Sequence, residues 1–351
     1  MAIEFLLDKI CLEHNAGIGH PEQPLRIKKI IDYFNKNNLQ NLVDTKDVIS
    51  KELLDKMLFE IHDKNLIERV KESENKKETY FDQDTQANNK TYKAALKAGS
   101  LAMSAAQLTT VGKTSFSIMR PPGHHATPNR IMGFCFFNNI SLATQNLLQR
   151  NKRVAIVDFD FHYGNGTADI FWKNPNVLYI SIHADPSLNF PNQGFIDEIG
   201  SKDGKGYNVC LPLTFNSGNN EILYSIQELI LPLLNEYKPS IVGVSAGFDG
   251  YYDDPVGGGF LQYTAEGYYT IGKLLYNYSK ETGTPFFHIL EGGYNLDKLP
   301  ELVQSYCKPW MANGSKIRDE IKQINAQVVK SREKKMIEYV KQLIKPYWNI
   351  K

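Results

Sequence analysis

The segment Val154–Gly166, VAIVDFDFHYGNG, combines a short apolar run with acidic and imidazole side chains. Residues 154–157 are typical of a buried parallel strand, and Asp158, Asp160 and His162 follow at spacings of two. In an extended chain these three side chains lie on one side. Buried carboxylates are costly unless their charge is compensated, and Asp and His are suitable zinc ligands. The segment therefore predicts a divalent-cation site at a strand end. An acidic strand end that hydrogen-bonds to loop amides is the alternative.

Polar side chains also follow four other short apolar runs that predict strands. In doubly wound sheets the ligand-binding edge lies at the carboxyl ends of the strands, so side chains at these ends meet in one site. One polar strand end is weak support for a site, but five aligned strand ends predict catalysis. The five positions are His124 and His125 after Phe116–Met119, Asp158 to His162 after 154–157, His183 after Val177–Ile182, Asp249 after Ile241–Ser245, and Tyr294 after Phe286–Leu290.

The ligand set can be completed from these strand ends. Asp160 and His162 supply two zinc ligands, and a third protein ligand would leave one position open for catalysis. Asp249, flanked closely by glycines, is predicted to be that ligand. A turn-forming aspartate before a loop is the alternative for this residue. Asp158 faces the same site and is predicted to hydrogen-bond an imidazole and raise its basicity.

The dipeptide His124-His125 follows Arg-Pro-Pro-Gly, in which prolines fix the backbone and glycine permits close approach. Histidine titrates near neutral pH and transfers protons to and from a metal-bound water. Asn165 is predicted to orient one of the two rings. Tyr294 follows a Gly-Gly turn, and its phenol is predicted to donate a hydrogen bond to a developing oxyanion. A solvent-exposed histidine pair and a packed surface tyrosine are the alternatives.

Predicted strands alternate with predicted helices, which favours an α/β fold with a parallel sheet wrapped by helices on both faces. No repeat or low-complexity linker divides the sequence, so residues 1–351 predict one domain with its core in about residues 1–306. The segment Lys316–Trp348 carries apolar residues among many charges, which predicts one long amphipathic helix or two. We expect it to pack on the body, with self-association into a homo-oligomer as the alternative. The other predicted helices begin at Pro24 and cover Lys51–Leu58, Asn65–Lys71, Tyr92–Leu108, Asn139–Gln149, Thr167–Trp172, Asn220–Leu234 and Thr264–Lys280.

Composition narrows the classes of function. The 351 residues are 42% hydrophobic and 23% charged, with a formal net charge of +1, which argues against nucleic-acid and membrane partners. Four scattered cysteines without a CxxC pair predict reduced thiols. The first residues lack a signal-peptide pattern, and no apolar run approaches the roughly 18 residues of a membrane span. We therefore expect a cytoplasmic protein with a small or locally recognised substrate.

These motifs, in this order, resemble the histone deacetylase superfamily, which includes acetylpolyamine amidohydrolases and the class II deacetylases. The resemblance spans nearly the whole chain up to about residue 306, and the motifs together are very specific. They are HPEQPLR (20–26), RPPGHHA (120–126), GFCFFNN (133–139), DFDFHYGNG (158–166), the strand Tyr179–His183, SAGFDGYYDDPVGG (245–258) and LEGGYN (290–295).

The resemblance implies an arginase–deacetylase α/β fold with a single, mostly parallel eight-stranded sheet. It implies zinc held by Asp160, His162 and Asp249, with iron(II) as the alternative metal. His125 would be the main general base and acid, and His124 would pair with Asp158 as its electrostatic partner. Tyr294 would polarise the acetyl carbonyl of the substrate.

The resemblance also implies structural potassium and a narrow substrate channel. One potassium site would use the backbone around Asp158, Asp160 and His162 with the Ser181 hydroxyl and Ile182, and a second would lie near Phe171, Val177 and Tyr207. The channel would be lined by Gly133, Phe134, Phe190 and Gly292, with Asp84 as a rim residue that grips the substrate. Phe134 and Phe190 as ordinary core residues are the alternative.

The implied reaction is the hydrolysis of an N-acetyl amide to a free amine and acetate. Tyr294 rather than histidine predicts full activity, and Asn165 stands where class I has aspartate. Val256 replaces the gatekeeping glutamate of the eukaryotic polyamine-specific member, whereas the loop His183–Gly200 resembles microbial acetylpolyamine-type members. Acetyl-lysine proteins and acetylpolyamines therefore both remain as substrates. Acidic residues at the channel mouth would favour polyamines, and Asp84, Asp185 or Glu198 are the candidates.

A ureohydrolase and a non-catalytic binding module are the two alternatives to a deacetylase. An arginase-like ureohydrolase would need a two-manganese site with more Asp and His ligands than the sequence offers. A catalytically silent module that binds acetylated amines would not need the complete set of ligands, histidines and Tyr294. The sequence therefore favours the deacetylase.

Overall fold

A sheet of eight parallel strands runs through the computed structural model, which describes residues 3–39, 42–44, 48–150, 152–311 and 326–350. The strand order is β2-β1-β5-β10-β9-β6-β7-β8, and β3 and β4 form a separate antiparallel pair. This architecture, with helices flanking the sheet, confirms the predicted α/β fold. The strands are β1 (Glu4–Leu7), β2 (Leu42–Asp44), β3 (Glu78–Tyr80), β4 (Gln86–Asn88), β5 (Ser115–Ser117), β6 (Val154–Asp158), β7 (Val177–Ala184), β8 (Asn208–Leu213), β9 (Ile241–Ala246) and β10 (Phe286–Leu290).

Helices connect most of the strands and pack on the sheet. A π-helical segment, Ile226–Ile230, joins α7 to α8 just before Pro232, which has no N–H to give to a regular α-helical ladder. Short 3₁₀ helices cover Lys9–Leu12, Ser73–Asn75, Lys202–Gly204 and Ala326–Val328. The α-helices are α1 (Leu25–Lys36), α2 (Lys51–Ile61), α3 (Lys64–Glu72), α4 (Thr91–Thr109), α5 (Asn139–Leu148), α6 (Asn165–Phe171), α7 (Asn219–Ser225), α8 (Leu231–Tyr237), α9 (Ala265–Thr282), α10 (Leu299–Met311) and α11 (Ser331–Ile344).

Strand β8 was not predicted from the sequence. It contains Pro212, and proline usually argues against a strand because it cannot donate to the ladder. The structure places β8 at the edge of the sheet, paired on one side with β7, so the missing N–H costs little there. Strand β5 is also shorter than predicted and ends at Ser117 rather than Met119.

The carboxyl-terminal helix is shorter than the predicted Lys316–Trp348. Helix α11 begins at Ser331, and residues 316–325 lie outside the described residues. Its apolar side chains Met336, Ile337 and Val340 are buried against the body next to β8. The buried carboxylate of Glu333 adds polar contacts, because its Oε1 accepts hydrogen bonds from the backbone and hydroxyl groups of the β8–α7 loop. The single-domain organisation and self-association stay predictions.

All four cysteines are buried and unpaired, as expected for reduced thiols. Within the described ranges, no helix has the length and apolar character needed to cross a membrane.

Candidate active site

Five neighbouring strands bring the predicted side chains to one edge of the sheet. Strands β5, β10, β9, β6 and β7 are adjacent in that order and parallel to one another. Their carboxyl ends therefore lie side by side, as sequence reasoning required. His183 is an exception, because it lies inside β7 and not at the site. Both of its ring nitrogens are engaged, with Ser181 Oγ and with the carbonyl of Gly194, each at 2.9 Å.

Asp160, His162 and Asp249 form a candidate metal centre. One ligand atom from each residue lies within 4.8 Å of the other two. His162 Nδ1 lies 3.4 Å from Asp160 Oδ1 and 3.2 Å from Asp249 Oδ2. Asp249 Oδ2 is buried and forms no hydrogen bond among the described residues, whereas Asp249 Oδ1 accepts from the backbone N–H of Phe161 at 3.0 Å. Among the described residues, the His162 imidazole at 3.2 Å is therefore the nearest potential donor to this buried oxygen.

The electrostatics of this cluster fit a divalent cation. Burial opposes the charge of His162, but the carboxylates of Asp160 and Asp249 outweigh it and raise its pKa to about 9. Burial and the Asp160 carboxylate raise the pKa of Asp249 to about 6. In the absence of a metal ion, His162 therefore stays protonated at neutral pH and compensates part of the charge of the two carboxylates. Two carboxylates and one imidazole match the three protein ligands of a catalytic zinc site.

Gly292 lies against this cluster rather than along the cavity wall, where it was predicted. Its backbone N–H donates to Asp160 Oδ2 at 2.8 Å. A Cβ at this position would lie 2.3 Å from Asp249 Oδ2 and 2.6 Å from Asp160 Oδ2. Only glycine therefore fits beside the two carboxylates.

The two histidines have different partners and therefore different protonation. His124 Nδ1 lies 3.1 Å from Asp158 Oδ2, whereas His125 Nδ1 lies 2.8 Å from Asn165 Oδ1. Burial opposes the charge of His124, but the carboxylates of Asp160 and Asp158 raise its pKa to about 10. Burial and the neighbouring imidazoles lower the pKa of His125 well below 6.5. His125 is therefore neutral at pH 7, and donation of its Nδ1–H to the amide oxygen leaves the lone pair on Nε2.

Glu291 holds the histidine loop and had no role in the sequence analysis. Its Oε2 accepts hydrogen bonds from the backbone N–H groups of Gly123 at 2.7 Å and His124 at 3.3 Å. The two preceding residues are prolines and have no N–H to donate, so these are the first donors of the loop. The available signal was its place in the LEGGYN motif, next to the Gly-Gly turn.

Tyr294 lines the cavity and is 7% exposed. Burial raises the pKa of its phenol well above 10, so the hydroxyl stays protonated and can donate a hydrogen bond. The guanidinium carbon of Arg26 lies 4.5 Å from the centre of the tyrosine ring. Arg26 also donates to the carbonyls of Gly293 at 2.7 Å and Glu291 at 2.5 Å. Sequence reasoning included Arg26 in a motif but assigned it no contact with the tyrosine turn.

A cavity of about 390 Å³ leads to these groups. Gly133 adopts φ +58°, and a Cβ there would lie 2.5 Å from Cδ2 of His125, so glycine lets the wall approach the ring. Phe134 also has a positive φ of +66°, and its N–H donates to Thr85 Oγ1 at 3.1 Å. The cavity is lined by Asp82, Gln83, Asp84, Pro122, His124, His125, Gly133, Phe134, Asp160, His162, Phe190, Val256 and Tyr294.

The acidic side chains at the cavity mouth are not all the predicted ones. Asp84 and Asp82 are exposed and line the cavity, and Asp82 was missed. Asp185 and Glu198 do not line it. Asp185 forms an ion pair with Arg332 at 3.2 Å, and Glu198 Oε1 accepts backbone hydrogen bonds within its own loop. Both therefore organise the long loop after β7 instead of facing substrate.

The predicted potassium ligands lie where β6 and β7 meet and along the adjoining loops. Ser181 pairs with Asp158 in the β6–β7 ladder, and Ile182 follows it. Of the second group, Phe171 ends α6 and Val177 begins β7, while the carbonyl of Tyr207 accepts from Tyr179 N–H at 2.9 Å. Potassium binding at both places stays a prediction.

Comparisons with known proteins agree with this fold. The family model described as a histone deacetylase domain matches residues 20–309. A "Probable deacetylase" of Archaeoglobus fulgidus is 33% identical and covers 82% of this chain and 79% of its own length. "Histone deacetylase 6" of Caenorhabditis elegans is 31% identical over 95% of this chain, which spans only 36% of that relative. The crystal structure of the HDA15 HD domain superposes with a TM-score of 0.87 at 29% identity, covering 99% of this chain and 95% of that one.

The fold and the matched relatives define the class as deacetylases with an α/β fold, which are hydrolases. The chain belongs to the histone deacetylase family. This confirms the resemblance found in the motifs and the arginase–deacetylase fold expected from it.

Proposed function

We propose that this protein is a zinc-dependent deacetylase that hydrolyses the N-acetyl amide of a primary amine to the free amine and acetate. One observation carries the proposal. Asp160 and His162 of the candidate metal centre line one cavity together with the neutral imidazole of His125 and with Tyr294. A metal site, a proton acceptor and an oxyanion donor are the groups that amide hydrolysis requires.

Asp160, His162 and Asp249 would hold the metal, with zinc favoured by the ligand set and iron(II) as the alternative. When bound, zinc lowers the pKa of a coordinated water and polarises the carbonyl of the substrate. The structural potassium sites belong to the same proposal.

The chain's own residues perform the remaining steps. His125 accepts the proton of the attacking water at Nε2, because Nδ1 is committed to Asn165. The hydroxyl group of Tyr294 donates a hydrogen bond to the carbonyl oxygen as negative charge develops on that oxygen. His125 or His124 then returns a proton to the nitrogen of the leaving amine. Phe134 and Phe190 enclose the aliphatic part of the substrate and exclude water from it.

The geometry supports a slender N-acetylated alkylamine and does not separate its two sources. Aromatic walls suit a linear aliphatic chain, and Asp82 and Asp84 at the mouth suit a substrate with a further positive charge. Acetylpolyamines and acetyl-lysine in a basic peptide both have these properties.

The test is acetate release by the purified protein with zinc. Acetylputrescine, acetylspermidine and a panel of acetyl-lysine peptides are compared, with Tyr294→Phe as the blank. Tyr252→Phe is the matched control, because Tyr252 is 48% exposed and does not line the cavity. We expect release with at least one class and a loss of about 10²–10³-fold in kcat for Tyr294→Phe alone. No acetate from any substrate, or equal activity of both variants, would refute the proposal.

A further inference from the structure

Asp254 lies on the loop between β9 and α9 and is only 3% exposed. Its Oδ2 accepts hydrogen bonds from the backbone N–H groups of Tyr294 at 2.6 Å and Asn295 at 2.9 Å. Its Oδ1 accepts from those of Val256 at 2.9 Å and Gly257 at 3.2 Å. One buried carboxylate therefore joins the turn that carries Tyr294 to the segment that carries Val256 in the cavity wall.

The turn Gly292–Tyr294 is fixed by a different partner at each residue. Gly292 donates its N–H to Asp160 Oδ2 at 2.8 Å. The carbonyl of Gly293 accepts from Arg26 Nε at 2.7 Å. Tyr294 donates its N–H to Asp254. Within the described part of the chain, the phenolic oxygen of Tyr294 forms no hydrogen bond. Asp254 therefore holds the backbone of Tyr294 itself, while Arg26 contacts its ring.

The chemistry of the contact requires a carboxylate. An ionised carboxylate is an acceptor on both oxygens, so it can receive four N–H groups at once. Asparagine would present an NH₂ group to two of these donors, and one pair of contacts would be lost. The exposed neighbour Asp253 has a different partner, because it accepts from the side-chain Nδ2 of Asn295 through its carbonyl at 2.7 Å and Oδ2 at 3.3 Å.

We propose that Asp254 is a positioning residue that fixes the phenol of Tyr294 relative to the Asp160–His162–Asp249 cluster and ties it to the cavity wall at Val256. The inference rests on the proposed function, because it assigns a role within that reaction. It differs from a general structural role in one respect. Loss of Asp254 should impair the step that needs the phenol and leave metal binding and substrate entry in place.

The kinetic test compares Asp254→Asn, Tyr294→Phe and the double variant in acetate release. We expect Asp254→Asn to lower kcat by about 10- to 100-fold, because a displacement of about 1 Å costs that much. KM and zinc content should stay close to those of the unchanged protein. The double variant should be no slower than Tyr294→Phe alone, since both changes remove the same contribution.

Three kinetic results would overturn the proposal. These are unchanged kcat in Asp254→Asn, a loss confined to KM, and a further loss in the double variant that multiplies the two single effects. Asp253→Asn is the matched control and should retain full kcat, because it leaves the four backbone contacts of Asp254 in place. Asp254→Glu keeps the charge and shifts it by one methylene, so an intermediate kcat is expected. If Asp254→Asn does not fold, Asp254→Glu takes its place in the comparison of the single and double variants.

A readout independent of turnover separates failure of this inference from failure of the proposed function. The protein is labelled with 3-fluorotyrosine, and the ¹⁹F resonance of Tyr294 is identified by its absence in Tyr294→Phe. In Asp254→Asn that resonance should shift or broaden, whereas Asp253→Asn should leave it unchanged. An unmoved resonance would overturn the positioning role. If the unchanged protein releases no acetate, the proposed function fails while the resonance still tests whether Asp254 fixes the ring.

Discussion

Two buried ionic clusters lie close together in this molecule and differ in how completely they are paired. In the first, Glu22 receives Arg120 through both carboxylate oxygens at 2.8 and 2.6 Å, Arg26 at 3.2 Å and His14 Nε2 at 3.1 Å. Further N–H groups of the two guanidiniums donate to backbone carbonyls, including that of Cys11 at 2.9 Å. Burial disfavours the charge of Glu22, but Arg120 and His14 outweigh it and hold its pKa well below the usual range.

The second cluster is the candidate metal centre, and its carboxylates have no guanidinium partner among the described residues. Among the described residues, the ion pairs of Asp160 and Asp249 involve imidazoles only. In the described part of the chain, Asp249 Oδ2 has only the ion pair with His162, and the pKa values of His162 and Asp249 are raised to about 9 and about 6. Strongly shifted pKa values in a buried cluster are typical of catalytic and binding sites. The comparison therefore supports a structural role for the Glu22 cluster, which we call paired, and the proposed metal binding for the Asp160–His162–Asp249 cluster, which we call unpaired because it lacks a guanidinium partner.

Removing a carboxylate from the unpaired cluster should give the largest effect. We expect Asp249→Ala to lose detectable turnover and to weaken metal binding by more than the roughly 10- to 100-fold cost of losing an outer hydrogen-bond partner. Zinc should raise the melting temperature of the unchanged protein, because it binds the folded state, and should not do so for the variant. Metal analysis and thermal melts with and without zinc measure both effects. Asp253→Ala is the control, and stoichiometric zinc in Asp249→Ala would refute the ligand set.

Removal of the carboxylate from the paired cluster should lower the free energy of unfolding and leave metal binding unchanged. Glu22→Ala leaves two buried guanidinium groups without their shared carboxylate, so we expect the free energy of unfolding to fall by about 3–5 kcal/mol. Denaturant unfolding of the metal-free proteins measures this loss. The exposed pair Lys298–Glu301 supplies the control, because the loss of a solvent-exposed ion pair in Glu301→Ala should leave stability nearly unchanged. A loss of less than 1 kcal/mol in Glu22→Ala would contradict the structural role.

The two clusters were not equally visible in the sequence. The unpaired cluster was predicted because each of its residues directly follows a short apolar strand, and parallel strand ends meet at one edge. The Glu22–Arg120 pair joins residues 98 positions apart, and nothing local in either motif indicates their contact. The same limit explains why Asp185 was expected at the cavity mouth but pairs with Arg332 of α11. Side-chain partners across the fold depend on loop paths that neither periodicity nor motif spacing specifies.

Replacing Asn165 would show whether His125 depends on its own hydrogen-bond partner. Asn165→Ala removes the acceptor at 2.8 Å from His125 Nδ1 and should let the imidazole change tautomer and orientation. We expect kcat to fall by about 10- to 100-fold, as for other partners that orient an active-site imidazole. Zinc content and unfolding free energy should stay close to those of the unchanged protein. Steady-state kinetics with metal analysis measures this, and a loss of metal in place of kcat would contradict the assignment.

His62 is a structural counterpart to His125, because it is a buried neutral histidine whose two ring nitrogens both have hydrogen-bond partners. Its replacement should have the smallest effect. Its Nδ1 donates to the Thr127 carbonyl at 3.0 Å, and its Nε2 accepts from Asn138 N–H at 2.9 Å. Burial lowers its pKa from 6.5 to about 4. His125 also has a lowered pKa, but among the described residues only its Nδ1 has a hydrogen-bond partner. The Nε2 atom without such a partner distinguishes a proton acceptor from a structural imidazole.

Since the folded-state pKa of His62 is depressed, the unfolded chain takes up the proton first as pH falls. The stability that the neutral ring contributes is complete above pH 6.5 and is lost between pH 6.5 and about 4. From pH 7.5 to pH 5 this histidine should cost the protein about 2 kcal/mol of unfolding free energy. His62→Gln cannot titrate, so its deficit relative to the unchanged protein should shrink by that amount over the same range. Denaturant unfolding at the two pH values measures the difference. Parallel pH profiles would show that His62 is not the buried neutral group that its contacts indicate.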